Sequence, residues 1–241
     1  MKILEVSGLS KTFNLHILHN KRIDALKQID FSMEEGEIIG LTGKSGSGKS
    51  SLMKCIYRTY LVSTGSIQYK SNKGAIDLVK ASDHEIIELR KSEITYCSQF
   101  LSVIPRVPAV DVVCENLFRV EKNKEKARKK AREILEYLGL AKELWDAFPA
   151  TFSGGEQQRI NLARAVLGSP KFLLIDEPTA SLDSKTKEAV IQLILNLKKR
   201  GSSVICISHD DYTIDQLVDR NIEMKNGAIE SIKPNQNKEK I

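Results

Sequence analysis

Two kinds of apolar run divide this chain. Ile3 to Val6, Ile29 to Met33 and Ser66 to Tyr69 alternate, or nearly alternate, apolar with polar side chains, as strands do when one face is buried. They predict an antiparallel sheet near the N-terminus. Ile38-Ile39-Gly40-Leu41, Phe172-Leu173-Leu174-Ile175 and Val204-Ile205-Cys206-Ile207 are instead continuous, as parallel strands are when helices cover both faces. The predicted fold class is α/β, a mostly parallel core with an antiparallel β part.

Helical spacing fills the stretch between the first and second continuous runs. Ala127, Ala131, Ile134, Leu135 and Leu138 mark one face, and Gly139 is placed to end that helix. Ser153 to Leu167 predicts another, closed by Gly168 with Pro170 beyond, and Asp183 to Leu197 a third, ended near Gly201. Asn226-Gly227, between Ile222-Glu223-Met224 and Ala228-Ile229-Glu230, predicts a hairpin turn. With no internal repeat and no long linker, residues 99–167 read as a helical insertion in one domain whose core is 1–98 and 168–233. Residues 234–241 are polar enough to be expected as a disordered tail.

Composition narrows this picture in three ways. The 241 residues, 41% hydrophobic, can bury a sizeable core, yet no apolar run approaches the roughly 18 to 20 residues that span a bilayer. Met1-Lys2-Ile3-Leu4-Glu5 begins a strand pattern and not a signal peptide, so the expected location is cytoplasmic and a membrane would be met through a partner. The four cysteines, Cys55, Cys97, Cys114 and Cys206, show no paired spacing, which suggests neither a zinc site nor a disulfide framework. The net charge of +6 is concentrated in Lys122 to Arg132 and Lys233 to Lys240. Without interleaved aromatics these runs read as a solvated helix face and a loose tail, and no nucleic-acid partner is expected.

Candidate chemistry begins with Gly43-Lys44-Ser45-Gly46-Ser47-Gly48-Lys49-Ser50, followed by Ser51. It matches the phosphate loop, and it stands where that motif must stand, after the strand Glu37 to Leu41 and before a helix predicted from Ser50 to Tyr60. Gly43, Gly46 and Gly48 let backbone N–H groups face phosphates, and the helix start adds roughly half a positive charge. Lys49 can then reach the β- and γ-phosphates of a nucleotide, with the Ser50 hydroxyl placed for Mg²⁺. Asp176-Glu177 puts two carboxylates at the carboxyl end of a parallel strand, where α/β sheets bind ligands. Asp176 suits Mg²⁺, directly or through water. Glu177 can polarise an attacking water, and a positioned base contributes about 10² to 10⁴ in rate, or roughly 3 to 5 kcal/mol.

A second helix start also has the features of an anion site. Ser153 is a good N-cap and Glu156, three residues on, completes a capping box that leaves the Gly154-Gly155 backbone bare. Each glycine costs a helix up to about 1 kcal/mol, and close approach to an anion is the natural compensation. Glu156 is expected to point back to the Ser153 N–H.

Taken in order, these motifs resemble the ATP-binding cassette (ABC) ATPases, whose signature is usually Ser-Gly-Gly-Gln where this chain has Ser153-Gly154-Gly155-Glu156. The resemblance covers nearly the whole chain. It implies a P-loop core with an antiparallel β subdomain and an inserted helical signature subdomain, and it implies ATP and Mg²⁺ as ligands. It also implies a head-to-tail pair with a second cassette subunit, the same chain or a paralogue, in which the signature of one covers the γ-phosphate held by the other. Phe13 then resembles the aromatic that stacks on adenine, with a core phenylalanine at a strand end as the alternative. Gln99 resembles the glutamine that senses Mg²⁺ and links core to insertion. Ser181-Leu182-Asp183 resembles the loop that crosses the dimer interface, and His209 the switch histidine at the γ-phosphate.

A narrower likeness lies in Lys11 to His16, Ser98 to Arg106 and Thr151 to Arg159, which resemble the PhnL-type cassettes of the bacterial carbon-phosphorus lyase system, Glu156 included. It implies soluble lyase subunits as partners in phosphonate use, alongside ATP hydrolysis. Two alternatives stay open. One is the ATPase of an efflux or lipoprotein-release transporter, with membrane subunits docked on Phe100 to Phe118; the other is a regulatory ATP-binding module with little turnover.

Overall fold

The computed structural model describes residues 1–15, 21–102, 105–119, 121 and 123–235. His16, Val103, Ile104 and Lys122, named above, lie outside them. The chain opens with β1 (Lys2–Leu15), β2 (Lys21–Glu34), β3 (Ile38–Thr42), α1 (Lys49–Ile56), β4 (Thr64–Ser71), β5 (Gly74–Asp77), α2 (Asp83–Ser92) and β6 (Ile94–Cys97). Three helices follow, α3 (Ala109–Cys114), α4 (Lys124–Tyr137) and α5 (Gly154–Leu167). The remainder is β7 (Phe172–Asp176), α6 (Ser184–Lys199), β8 (Ser203–Ile207), α7 (Asp211–Leu217), β9 (Arg220–Lys225) and β10 (Ala228–Pro234).

The two kinds of apolar run become two sheets. One is antiparallel in the order β2-β1-β4-β5, and the other runs β10-β9-β3-β8-β7-β6, parallel except for the edge strand β10. In β7 the side chains of Phe172 and Leu174 enter the core shared with the antiparallel sheet, whereas Leu173 and Ile175 enter the core shared with the helices. Ile205 and Ile207 of β8 divide from Val204 and Cys206 in the same way. A strand that feeds two cores cannot alternate with polar residues, which is why these runs are continuous. Among the described residues no helix is long and apolar enough to cross a membrane.

Differences from the sequence-based expectations are local. Helix α1 stops at Ile56 and not at Tyr60, because the chain turns sharply through Arg58 at φ 65°. Pro234 and Asn235, expected in a disordered tail, are held to the fold instead. Pro234 pairs with Arg220, and the Asn235 side chain donates to the carbonyls of Asp215 and Val218 at 3.0 and 2.9 Å. Residues 236–241 lie outside the described residues.

Two local arrangements carry the loops that matter below. The loop between β3 and α1 is seated on neighbouring backbone: a Cβ on Gly43, at φ +128°, would stand 2.1 Å from the Met224 carbonyl oxygen, and one on Gly48 would stand 2.7 Å from that of Ala25. The turn after β9 closes the seat, with the Gly227 N–H donating to the Ser47 carbonyl at 3.0 Å and the Lys27 N–H to the Gly227 carbonyl at 2.7 Å. At the start of α5 the capping box forms as expected. Ser153 N–H and Ser153 Oγ each meet Glu156 Oε2 at 2.8 Å. Those bonds, side chain first and backbone second, hold the Glu156 carboxyl below its ordinary value of 4.5.

Gly43→Ala forces either the loop or β9 to move, so we expect a loss of about 2–4 kcal/mol and a Tm lower by about 5–15 °C. A melting curve within about 2 °C of the parent would refute this seating. Glu156→Ala is expected to cost about 0.5–1 kcal/mol at neutral pH, at the low end because solvent screens the group. Since the folded pKa lies below the unfolded one, that contribution is present above 4.5 and lost as pH falls through the lower folded value. Urea unfolding should therefore show the gap between parent and variant narrowing as pH is lowered below 4.5, and a gap that does not narrow would mean the charge is irrelevant.

Candidate functional site

The ends of four neighbouring strands build one cleft. In the order β3-β8-β7-β6, the carboxyl ends deliver the phosphate loop, His209, Asp176 with Glu177, and Gln99. These residues line a cleft of about 770 Å³, whose far wall is Phe13, Ile23 and the Asn226-Gly227 turn. A parallel sheet places ligands outside its carboxyl edge for this reason.

The loop is built to receive an anion. Gly48, left-handed at φ 107°, takes the N-cap position of α1, with no side-chain cap and no acidic residue in the first turn. That leaves the helix start's N–H groups and positive end facing the cleft. Lys49 is 6% exposed, and its ammonium donates to the Gly43 and Lys44 carbonyls at 2.7 and 3.1 Å, spanning the loop. Burial lowers its pKa, with Glu177 and Asp176 opposing that shift. Ser47 Oγ is buried without a partner among the described residues. A bare helix start, an enclosed ammonium and an orphaned hydroxyl fit a bound phosphate chain.

The acidic side is tightly organised. Asp176, 8% exposed, accepts a hydrogen bond from the Tyr96 hydroxyl at 3.3 Å. With Ser50 on the first turn of α1, it offers the hard oxygen donors that suit Mg²⁺. Among the described residues no group of three His, Cys, Asp or Glu could hold a metal by itself, so Mg²⁺ would draw its other oxygens from nucleotide and water. Glu177 lies between two predicted residues: Gln99 Nε2 donates to its Oε2 at 3.0 Å, and His209 Nε2 stands 3.5 Å from its Oε1. Its backbone is left-handed at φ 51°, with the N–H donating to the Ile207 carbonyl at 2.9 Å.

Phe13 is no core residue. Its ring is half-buried at the mouth of the cleft, edge-on to Tyr60 at 5.1 Å with the Lys11 ammonium 4.6 Å away. Ser153 to Glu156 and Asp183 stand outside the cleft of their own chain. Asp183 caps α6, accepting from the Thr186 N–H at 3.0 Å and its hydroxyl at 2.7 Å, and these bonds lower its pKa. Gly154 has nothing near its Cα that a Cβ would meet, which leaves the start of α5 open. The sequence reading missed Ile23 and Gln158. Ile23 is the cross-strand partner of Phe13 and 41% exposed, an apolar residue out of phase with Leu26, the nearest buried position of β2. Gln158, 8% exposed, donates to the Glu177 carbonyl at 2.6 Å and accepts from the Ser181 N–H at 3.2 Å.

Comparison with known proteins agrees with this architecture. The chain superposes on the dimeric, ADP- and Pi-bound post-hydrolysis structure of the ATP-binding cassette MJ0796 with a TM-score of 0.87, at 29% identity over 97% of this chain and 99% of that one. A probable amino-acid ABC transporter ATP-binding protein of Haemophilus influenzae is 33% identical over 95% of this chain and 86% of its own length. The lipoprotein-releasing system ATP-binding protein LolD of Geobacter metallireducens is 33% identical over 94% and 97%. The ABC transporter family model matches residues 26–180, and with the fold and the motifs in their order the chain belongs to the ATP-binding cassette ATPases of that family.

Proposed function

We propose that this chain is the ATP-hydrolysing subunit of a transporter, working as a head-to-tail pair of cassettes bound to membrane subunits. The convergence of Lys49, Asp176, Glu177, Gln99 and His209 on one cleft carries the hydrolytic part of this reading. The loop N–H groups and Lys49 bind the triphosphate, and Phe13 with Ile23 receives the adenine. Ser50 and Asp176 would hold Mg²⁺, which supplies charge neutralisation at the β- and γ-oxygens. Glu177 accepts the proton of the attacking water, while Gln99 holds one of its carboxylate oxygens and His209 stands beside the other. Because Ser153 to Glu156 and Asp183 lie outside their own cleft, a second subunit must bring them to the γ-phosphate. The similar cassette MJ0796 is dimeric with ADP and Pi bound, which supports that pairing.

The transporter part rests on the relatives and on a second groove. The relatives named above span nearly all of this chain at similar identity, although one is named for amino acids and another for lipoproteins. What they share is the cassette. A groove of about 280 Å³ runs between the α1 and α2 side of the core and the α3 and α5 side of the helical part, lined by Tyr57, Ile87, Arg90, Glu115, Asn116 and Arg164. Phe100, 76% exposed, stands at the other end of the Phe100 to Phe118 stretch. On this reading, the groove would receive a short segment of a membrane subunit.

A phosphonate-lyase role is the second reading, favoured by the likeness of Ser98 to Arg106 and of the Glu156 signature. Neither the amino-acid nor the lipoprotein relative bears such a name. Affinity purification from membranes separates the two: co-purifying integral membrane subunits support the transporter, whereas soluble lyase subunits would overturn it.

For the mechanism, Glu177→Gln should leave ATP affinity intact, lower turnover by about 10² to 10⁴ and accumulate an ATP-bound dimer visible by size-exclusion chromatography. Turnover at the parental rate would remove Glu177 from the role of base. Lys49→Ala should weaken ATP binding about 10- to 150-fold by titration calorimetry, since charge-assisted hydrogen bonds to phosphate are lost. Unchanged affinity would contradict its assignment.

A further inference from the structure

We propose that Gln158 is the positioning residue that aims Glu177 and couples it to the start of α5, an inference that rests on reading Glu177 as the base. Glu177 occupies the left-handed region at φ 51°, which a residue with a Cβ leaves unless its surroundings hold it there. Two hydrogen bonds fix its peptide units. One is its own N–H to the Ile207 carbonyl at 2.9 Å, within the core. The other comes from outside the core, from the Gln158 amide to the Glu177 carbonyl at 2.6 Å.

The same amide accepts from the Ser181 N–H at 3.2 Å, so one buried side chain grips both ends of the loop that runs from Glu177 toward Asp183. Gly155 seats the helix on that loop as well, for a Cβ there would stand 3.0 Å from the Ser181 carbonyl oxygen. Gln158 follows Glu156 by two residues, in the first turns of the helix whose start, on the pairing proposed above, would face the nucleotide of the second subunit. Any shift of α5 on meeting that nucleotide is therefore delivered to the peptide that orients Glu177. Hydrolysis in one cleft then depends on whether the other is filled. The side chain must donate to one partner and accept from the other, which an amide does at any pH and a carboxyl only when protonated.

The test compares the full chain, in the assembly that turns over, with Gln158→Leu, Gln158→Glu and Glu177→Gln. Gln158→Leu leaves a buried carbonyl unpaired, and kcat is expected to fall about 5- to 100-fold with KM for ATP within about twofold. Gln158→Glu keeps the bond from Ser181 but donates to the Glu177 carbonyl only when protonated. Its turnover relative to the parent should rise as pH falls from about 8 to about 6, because burial raises a carboxyl pKa. A Gln158→Leu variant with parental kcat, a loss confined to KM or to ATP binding, or a flat pH ratio for Gln158→Glu would overturn the proposal. If Glu177→Gln is inactive while Gln158→Leu turns over normally, only the role of Gln158 falls. If Glu177→Gln turns over normally, the base assignment falls and this proposal with it.

Discussion

The seating of the loop from Gly43 to Ser50 on two backbone carbonyls is the constraint from which the site is built. Met224 of β9 and Ala25 of β2 come so close that no Cβ fits at Gly43 or Gly48, and the Asn226-Gly227 turn closes the seat by bonding Ser47 and Lys27. Both sheets therefore converge on one loop, the parallel one through β9 and the antiparallel one through β2. A phosphate-facing backbone has to be rigid before the ligand arrives, because ordering it during binding would cost about 1–2 kcal/mol per residue. The glycines thus serve packing as much as anion access. Gly46 is the exception, since a Cβ there would meet nothing and its φ of +77° alone explains it.

Given that seat, strand order does the rest. Because β8, β7 and β6 follow β3 across the sheet, residues far apart in the chain meet within hydrogen-bonding distance. Gln99 and Glu177, 78 positions apart, are joined at 3.0 Å only because β6 and β7 are neighbours in parallel register. The carboxylate of Glu177 consequently has one oxygen held by an amide and the other beside an imidazole that is half exposed. In the proposed role of base, Glu177 would have a fixed aim and a route to solvent.

Much of this was legible in the sequence, and the omissions have physical causes. The continuous runs, the phosphate loop, the α5 capping box and the Asn226-Gly227 turn, with φ of 50° and 82°, are all encoded within a few residues of one another. Helix α3 escaped notice because Ala109, Val110, Val112, Val113 and Cys114 are all buried, which erases the polar face that periodicity needs. Helix α2 had a readable start, since Ser82 and Glu85 form the same capping box as Ser153 and Glu156. Ile23 and Gln158 are different. The first earns its place through a cross-strand partner and the second through atoms 19 and 23 positions away on another element. No local pattern carries either.

Glu156 makes the two helix starts unequal. A helix start carries roughly half a positive charge, and α1 keeps all of it, having no acid in its first turn. At α5 the Glu156 carboxylate bonds both the N–H and the hydroxyl of Ser153, and its lowered pKa keeps it charged, so much of that half charge is neutralised within the chain. What remains for an anion is the bare backbone of Gly154 and Gly155. That leaves less positive charge for an anion at α5 than at α1, where the Lys49 ammonium adds its own. On the pairing proposed above, that backbone would complete a site whose positive charge comes from the α1 start and Lys49 of the other subunit.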